Sequence, residues 1–259
     1  MSGPKVAIVI YSMYGHVAKL AEAAKKGVEE AGGSATILQV AETLPTEILA
    51  KMHAPPKPDY PVAVPADLLN YDAYLIGIST RYGGWPAQLK TFWDASGQLW
   101  ATGALAGKFA GAFVGTGGPG GGQESTFYSI LSTFVHHGLI FVPLGYKHTS
   151  ALWNQHFEEV HGGSPFGAGT YAGDGSRQPS ELELNVASIQ GREFYNIVSK
   201  HSSPVPAPAP AGTEKKEEQV STPPAPPHEK QTSKTSTEVG EKPTRRKSVM
   251  ARIIHQLKP

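Results

Sequence analysis

The chain of 259 residues contains no cysteine. That excludes disulfides, thiolate metal sites and a cysteine nucleophile. It also lacks any apolar run long enough to span a bilayer, and the residues after Met1–Lys5 read as a short strand, not as the apolar stretch of a cleavable leader. The expected compartment is therefore the cytoplasm. Excess charge is missing as well: the net value is +1, so the totals suggest no nucleic-acid partner. Histidines and carboxylates fall into no ligand spacing, and no metal is expected. Three phosphate-handling signatures are absent too. There is no G-x-G-x-x-G after the first strand, and no acidic residue ends the second. No Gly-Lys-Ser/Thr loop occurs, and no phosphorylatable aspartate stands at a strand end, where Ser12 and Thr80 are found instead.

Glycine is abundant in two places. Gly115-Thr116-Gly117-Gly118-Pro119-Gly120-Gly121-Gly122 follows the apolar run Phe109–Val114 and precedes a helix-like segment opening at Gln123-Glu124. Such a loop lets backbone N–H groups approach an anion or a planar ring that side chains would hold away. Ser12-Met13-Tyr14-Gly15-His16 occupies the same position after Val6–Tyr11.

Strands and helices alternate through the body. Strands are expected over Lys5–Tyr11, Ala35–Val40, Asp72–Ser79, Lys108–Val114 and Leu139–Val142. Helices are expected over His16–Ala31, Pro45–Met52, Pro86–Trp100, Gln123–His137 and from the capping box Ser180/Glu183 to about Lys200. Tyr146–Gln178 reads as a long glycine-rich loop. This pattern is a doubly wound, five-stranded parallel α/β sheet with helices on both faces. With the dinucleotide fingerprint missing, the flavodoxin-like order 2-1-3-4-5 remains, and it places FMN at its switch point. The FMN phosphate would sit at the N-terminus of the first helix, taking loop N–H groups and the Ser12 hydroxyl. Lys and Arg are absent from Ser12–Val17, so neutral donors and the helix dipole would neutralise it. The flavin ring would meet the loops at Thr80–Pro86 and Thr116–Gly122.

Beyond residue 200 the character changes. Residues 1–200, the expected folded domain, carry 13 Lys/Arg against 16 Asp/Glu, net −3; residues 201–259 carry 10 against 6, net +4. Alternating prolines and few aromatics make this Pro/Ser/Thr/Lys-rich tail an expected disordered segment. Its end, Arg245 to Lys258, has Val249, Met250, Ile253, Ile254 and Leu257 at helical spacing among basic groups. That is the pattern of a weak anionic-membrane contact, placing the protein peripherally at the plasma membrane. A solvated charge run is preferred, because so short a helix holds a membrane weakly.

Several motifs together resemble the WrbA family of flavodoxin-like NAD(P)H:quinone oxidoreductases, in a fungal form with a C-terminal extension. They are Ser12–His16, Thr80–Gly83, Gly97–Leu105, Gly120–Glu124, His136-His137-Gly138 and Gly173–Ser180. The resemblance implies FMN bound in a homotetramer built as a dimer of dimers, NADH or NADPH as co-substrate, and two-electron ping-pong reduction of a small-molecule quinone in protection against oxidative stress. It assigns FMN contacts to Ser12, Met13, Tyr14, Gly15, His16 and Val17, to Thr80, Arg81, Tyr82 and Gly83, to Thr116, Gly117, Gly118, Pro119, Gly120 and Gly121, and to His136. Tyr14 and Trp100 match positions for nicotinamide and quinone. Asp174 and Arg177 receive no chemistry beyond a loop salt bridge or an intersubunit contact. Tyr82 for the usual phenylalanine, Gly83-Gly84-Trp85-Pro86, and an extra residue in Gly117–Gly120 depart from the family pattern and bear on the shape of the mouth. Read from residues alone, His136 is a structural residue closing a helix and Arg81 a surface charge, while Trp100 fits the core as well as a substrate platform. Two other functions fit the same fold: a flavodoxin-type electron carrier, and a membrane-associated scaffold acting through the tail.

Overall fold

The structure, a computed structural model, describes residues 3–155 and 158–201. The basic end of the tail, and the tail itself beyond His201, lie outside the described residues.

The first strand, β1 (Lys5–Tyr11), is buried from Val6 onward. Its alternation builds both halves of the core. Val6, Ile8 and Ile10 face α1 (His16–Glu30) and the final helix, while Ala7, Val9 and Tyr11 face the opposite layer. Burial on both faces is what a parallel sheet covered by helices requires. β1 pairs in parallel with β2 (Ser34–Val40) and β4 (Ala73–Ser79), and β4 with β5 (Phe109–Thr116). Two-residue β3 (Val62–Ala63) extends the edge beyond β2. Between β2 and β3 lies the short α2 (Thr46–Lys51), and a 3-10 turn (Pro65–Asn70) precedes β4.

The fifth position differs from expectation. The run at Leu139–Val142 gives only β6 (Ile140–Phe141), which pairs with Phe109 and Ala110 at the start of β5. The end of β5 pairs instead with β7 (Gly169–Tyr171), inside the stretch expected to be loop. Pro143 has no N–H for a ladder, and Gly145 turns the chain at φ 65°. The chain therefore leaves the sheet, forms α6 (Ser150–Gln155), and returns to complete the edge. Among the described residues the sheet holds seven strands in the order β3-β2-β1-β4-β5-β6, with β7 on β5. The central order agrees with 2-1-3-4-5; the count of five does not.

The helix expected over Pro86–Trp100 is two, α3 (Ala87–Asp94) and α4 (Gly97–Ala101). At the break, Ser96 Oγ donates to the Trp93 carbonyl at 2.6 Å and therefore accepts from His137 Nε2 at 3.0 Å. A side chain bonded back to the backbone competes with helix propagation. α5 (Gln123–His136) covers the same face as α3, with Phe127, Ile130 and Phe134 in the core.

α1 packs against α7 (Glu181–His201) at backbone contact. A Cβ on Gly27 would lie 1.9 Å from Ser188 O, and one on Gly191 1.9 Å from Ala24 O. This close crossing fixes the position of α1, whose N-terminus faces the carboxyl edge of the sheet.

Candidate functional site

Three loops leave the carboxyl ends of β1, β4 and β5 side by side. The first reverses at Gly15, whose φ of 88° suits glycine, and opens α1 with no side-chain cap and no acidic residue in its first turn. The first N–H groups of a helix have no intrahelical acceptor. Here Ala18 N is taken by Ser12 Oγ at 3.4 Å, and His16 Nε2 donates to the Arg177 carbonyl at 2.8 Å. A carbonyl only accepts, so that bond fixes the ring with its proton on Nε2. Tyr14 donates its hydroxyl to Met52 O at 3.1 Å and leaves its ring partly exposed at the mouth.

The second loop is a tight reversal closed by Arg81 N to Gly84 O at 2.9 Å and Gly84 N to Arg81 O at 3.0 Å. Both residues at its tip, Tyr82 (φ 54°) and Gly83 (φ 74°), are left-handed. That suits glycine and strains tyrosine, and it throws the Tyr82 ring wholly into solvent. Thr80 Oγ1 meets Thr126 Oγ1 at 2.7 Å, and Ser125 Oγ donates to Gly83 O at 2.9 Å, tying the loop to α5. The Arg81 guanidinium donates to Thr80 O at 2.8 Å and lies 3.9 Å from the Met13 sulfur. In the third loop Thr116 Oγ1 and Gly121 N both donate to Gly118 O.

These loops enclose a cleft of about 240 Å³. Of the residues expected there, Ser12, Met13, Tyr14, His16, Val17, Thr80, Arg81, Thr116 and Gly117 line it, and Gly15 caps the adjoining helix. Tyr82, Gly83, Gly118, Pro119, Gly120 and Gly121 belong to the same loops without lining it. Two residues lie apart. Trp100 is in α4 and more than half exposed. His136 ends α5, far from that helix's start beside the cleft, and its Nδ1 donates to Ser132 O at 2.7 Å. A single chain does not bring them to this cleft.

A fourth wall escaped the sequence. Thr170, Ala172, Gly173, Asp174 and Gly175 line the cleft, pinned by Ala172 N to Thr116 O at 2.8 Å and Gly173 N to Gly117 O at 2.7 Å. The signal available was the motif Gly173–Ser180, which says nothing of where it docks. Glu42 was missed too. Its carboxylate accepts from the Tyr11 hydroxyl at 3.0 Å, Lys57 at 2.8 Å and Gln88 at 2.8 Å, and from the N–H groups of Thr43 and Leu44. Burial alone would raise its carboxyl; these donors outweigh burial and lower it to about 2. Burial and that carboxylate together push the Tyr11 phenol up. The cluster clamps the end of β1 one residue before the Ser12 loop.

The chemistry of the donor set fits a phosphorylated planar ligand. The N-terminus of α1, Ser12, Thr80 and Arg81 line the cleft. Its carboxylate is Asp174, at the exposed rim. Glycine at position 117, where a Cβ would meet only Gly173 O at 3.8 Å, leaves room for a flat ring.

Fold and cleft thus define a doubly wound α/β protein with a nucleotide-type cradle at its switch point. Residues 4–152 match the family of NADPH-dependent FMN reductases. NAD(P)H quinone oxidoreductase PST3 of Candida albicans is 62% identical over 76% of this chain and 99% of its own. Minor allergen Alt a 7 of Alternaria alternata is 60% identical over 76% and 98%. Among solved structures, the flavodoxin, WrbA-like protein from Agrobacterium tumefaciens superimposes with a TM-score of 0.53 at 22% identity, over 77% of this chain and 99% of that one. The chain belongs to the NADPH-dependent FMN reductase family, and it shares the fold of the WrbA-like flavodoxin.

Proposed function

We propose that this protein is an FMN-dependent NAD(P)H:quinone oxidoreductase. One observation carries the reading: the α1 N-terminus, with no acidic residue in its first turn, stands at the foot of a cleft walled by glycine loops. The 62% identical relative named as a quinone oxidoreductase supports the choice of reaction.

When bound, FMN would supply the two-electron redox chemistry between NAD(P)H and a quinone. The chain's own residues hold and orient. Ser12, Gly15, His16 and Val17 take the phosphate with backbone and hydroxyl donors. Thr80, Thr116 and Gly117, which line the cleft, would hold the ring, with the Thr80 N–H committed to Gly115 O at 2.9 Å and Gly117 left as the backbone donor to developing negative charge. Arg81 adds a positive charge at that edge, backed by the buried Met13. Tyr14, held by Met52, forms a flat wall at the mouth for nicotinamide or quinone.

Trp100 and His136, exposed on their own chain, are assigned to the mouth of another subunit in a homotetramer. Since His136 Nδ1 carries the proton given to Ser132 O, Nε2 is the atom able to take or give one at the quinone oxygen. The activity is of the NAD(P)H dehydrogenase (quinone) type, in the cytoplasm or peripherally at the plasma membrane through the basic tail.

The test is spectroscopic and kinetic. The purified full chain incubated with FMN should hold flavin absorbance through gel filtration and then oxidise NADH or NADPH when benzoquinone is added. Flavin retention without quinone-dependent oxidation would reject the reductase in favour of a carrier.

A further inference from the structure

The motif Gly173–Ser180 has no task in the reaction just described, yet it leads to the most deeply buried carboxylate near the cleft. Glu183 is 1% exposed. It accepts from Gly162 N at 2.8 Å, Thr170 Oγ1 at 2.7 Å, Arg177 Nη1 at 2.9 Å and Ser180 N at 2.9 Å. Burial would raise its carboxyl, but these donors outweigh burial and hold it below the ordinary range. Arg177 spreads its fork over further acceptors, giving Nη1 to Tyr171 O at 2.7 Å and Nη2 to Val160 O at 2.9 Å. The Arg177 carbonyl, in turn, receives the proton of His16 Nε2 at 2.8 Å. Asp174 Oδ1 accepts instead from Ser176 N and Oγ at 3.0 and 2.6 Å.

One ion pair, buried at Glu183 and partly exposed at Arg177, thus binds four segments: residues 160–162, the end of β7, the start of α7 and, through His16, the start of α1. The cleft-lining residues 172–175 hang between two of these anchors. Neither Arg177 nor Glu183 lines the cleft itself.

We propose that Arg177 and Glu183 are positioning residues for the cofactor: their contact sets the 172–175 wall and orients the His16 ring at the phosphate end. The inference rests on the FMN reading above. Its chemistry is demanding in a specific way. Both Glu183 oxygens accept N–H donors, so an amide in its place turns NH₂ toward a donor in either orientation. A lysine in place of Arg177 keeps the charge and loses the fork that reaches three acceptors.

The experiment compares the full-length wild type with Glu183→Gln and Arg177→Lys. Dissociation constants for FMN and for riboflavin, which lacks the phosphate, are measured by fluorescence quenching at 25 °C, with melting temperatures alongside. Glu183→Gln should weaken FMN by about tenfold or more and riboflavin far less, with Arg177→Lys between. A purely architectural role lowers the melting temperature without changing the ratio of the two affinities. If Glu183→Gln does not fold, Arg177→Lys decides by the same ratio. Unchanged FMN affinity in the folded variants, or parallel losses for the two ligands, overturns the inference alone. A wild type that binds neither ligand overturns the FMN reading with it.

Discussion

The two sides of the cleft are built in different ways. On the β1 side, strand, loop and helix follow one another without interruption from Lys5 to Glu30. On the β5 side, Thr116 and Gly117 meet Ala172 and Gly173, which arrive by way of α5, β6, α6 and β7. The first side is a local structure that a few neighbouring residues dictate. The second exists only when distant segments pair, so it is held by long-range backbone bonds and not by a turn.

That contrast predicts an order of effects. The largest concerns the scaffold behind the β1 side. Gly191→Ala places a methyl inside the Ala24 carbonyl, and the crossing of α1 and α7 cannot absorb it without moving a helix. A loss of about 3 kcal/mol or more in urea unfolding is expected. A loss below about 1 kcal/mol would mean that α1 is not held by that contact.

Next comes the phosphate cradle. Ser12→Asp puts a carboxylate where the anion binds, and like charges at about 4 Å cost up to about 4 kcal/mol at an effective dielectric near 20. FMN affinity should fall by roughly a hundredfold. On the β5 side, Gly117→Ala meets only Gly173 O at 3.8 Å, so its loss should stay below about tenfold. Equal losses at the two positions would break the comparison.

The Glu42 clamp gives a smaller, pH-dependent effect. Its carboxyl is lowered to about 2 by Lys57 and its other donors against the pull of burial. A carboxylate with a folded value below its unfolded value of about 4.3 stabilises the fold above that value, and this is lost as pH falls toward 2. Discounted for solvent screening, the clamp contributes about 1–2 kcal/mol at pH 7. Glu42→Gln should show that deficit in thermal melts at pH 7, narrowing between pH 4.5 and 2. A deficit constant with pH would mean that packing, not charge, is lost.

The same contrast explains what the sequence disclosed. β1, β4 and α1 carry their own signals, apolar runs bounded by turn residues, and their limits were legible to within a residue. So were Ser12–Val17, Thr80-Arg81 and Thr116-Gly117, each a polar or glycine-rich turn directly after such a run. β7 has no signal of its own, since Gly169-Thr170-Tyr171 is a strand only because β5 offers an unpaired edge. The break at Ser96 depends on His137, far away in sequence. Glu183 was read as half of a capping box, and it is: Ser180 N and Glu183 Oε2 are 2.9 Å apart, Glu183 N and Ser180 Oγ 3.3 Å. Its larger part, the bond to Arg177, needs the fold to be seen.

The most direct test of the central claim is titration of the full chain with FMN, followed by flavin fluorescence, beside the Ser12→Asp variant. The account predicts saturable quenching by the wild type at micromolar concentration or below and loss of it in the variant. Quenching of equal strength in both would contradict a cofactor held at the N-terminus of α1.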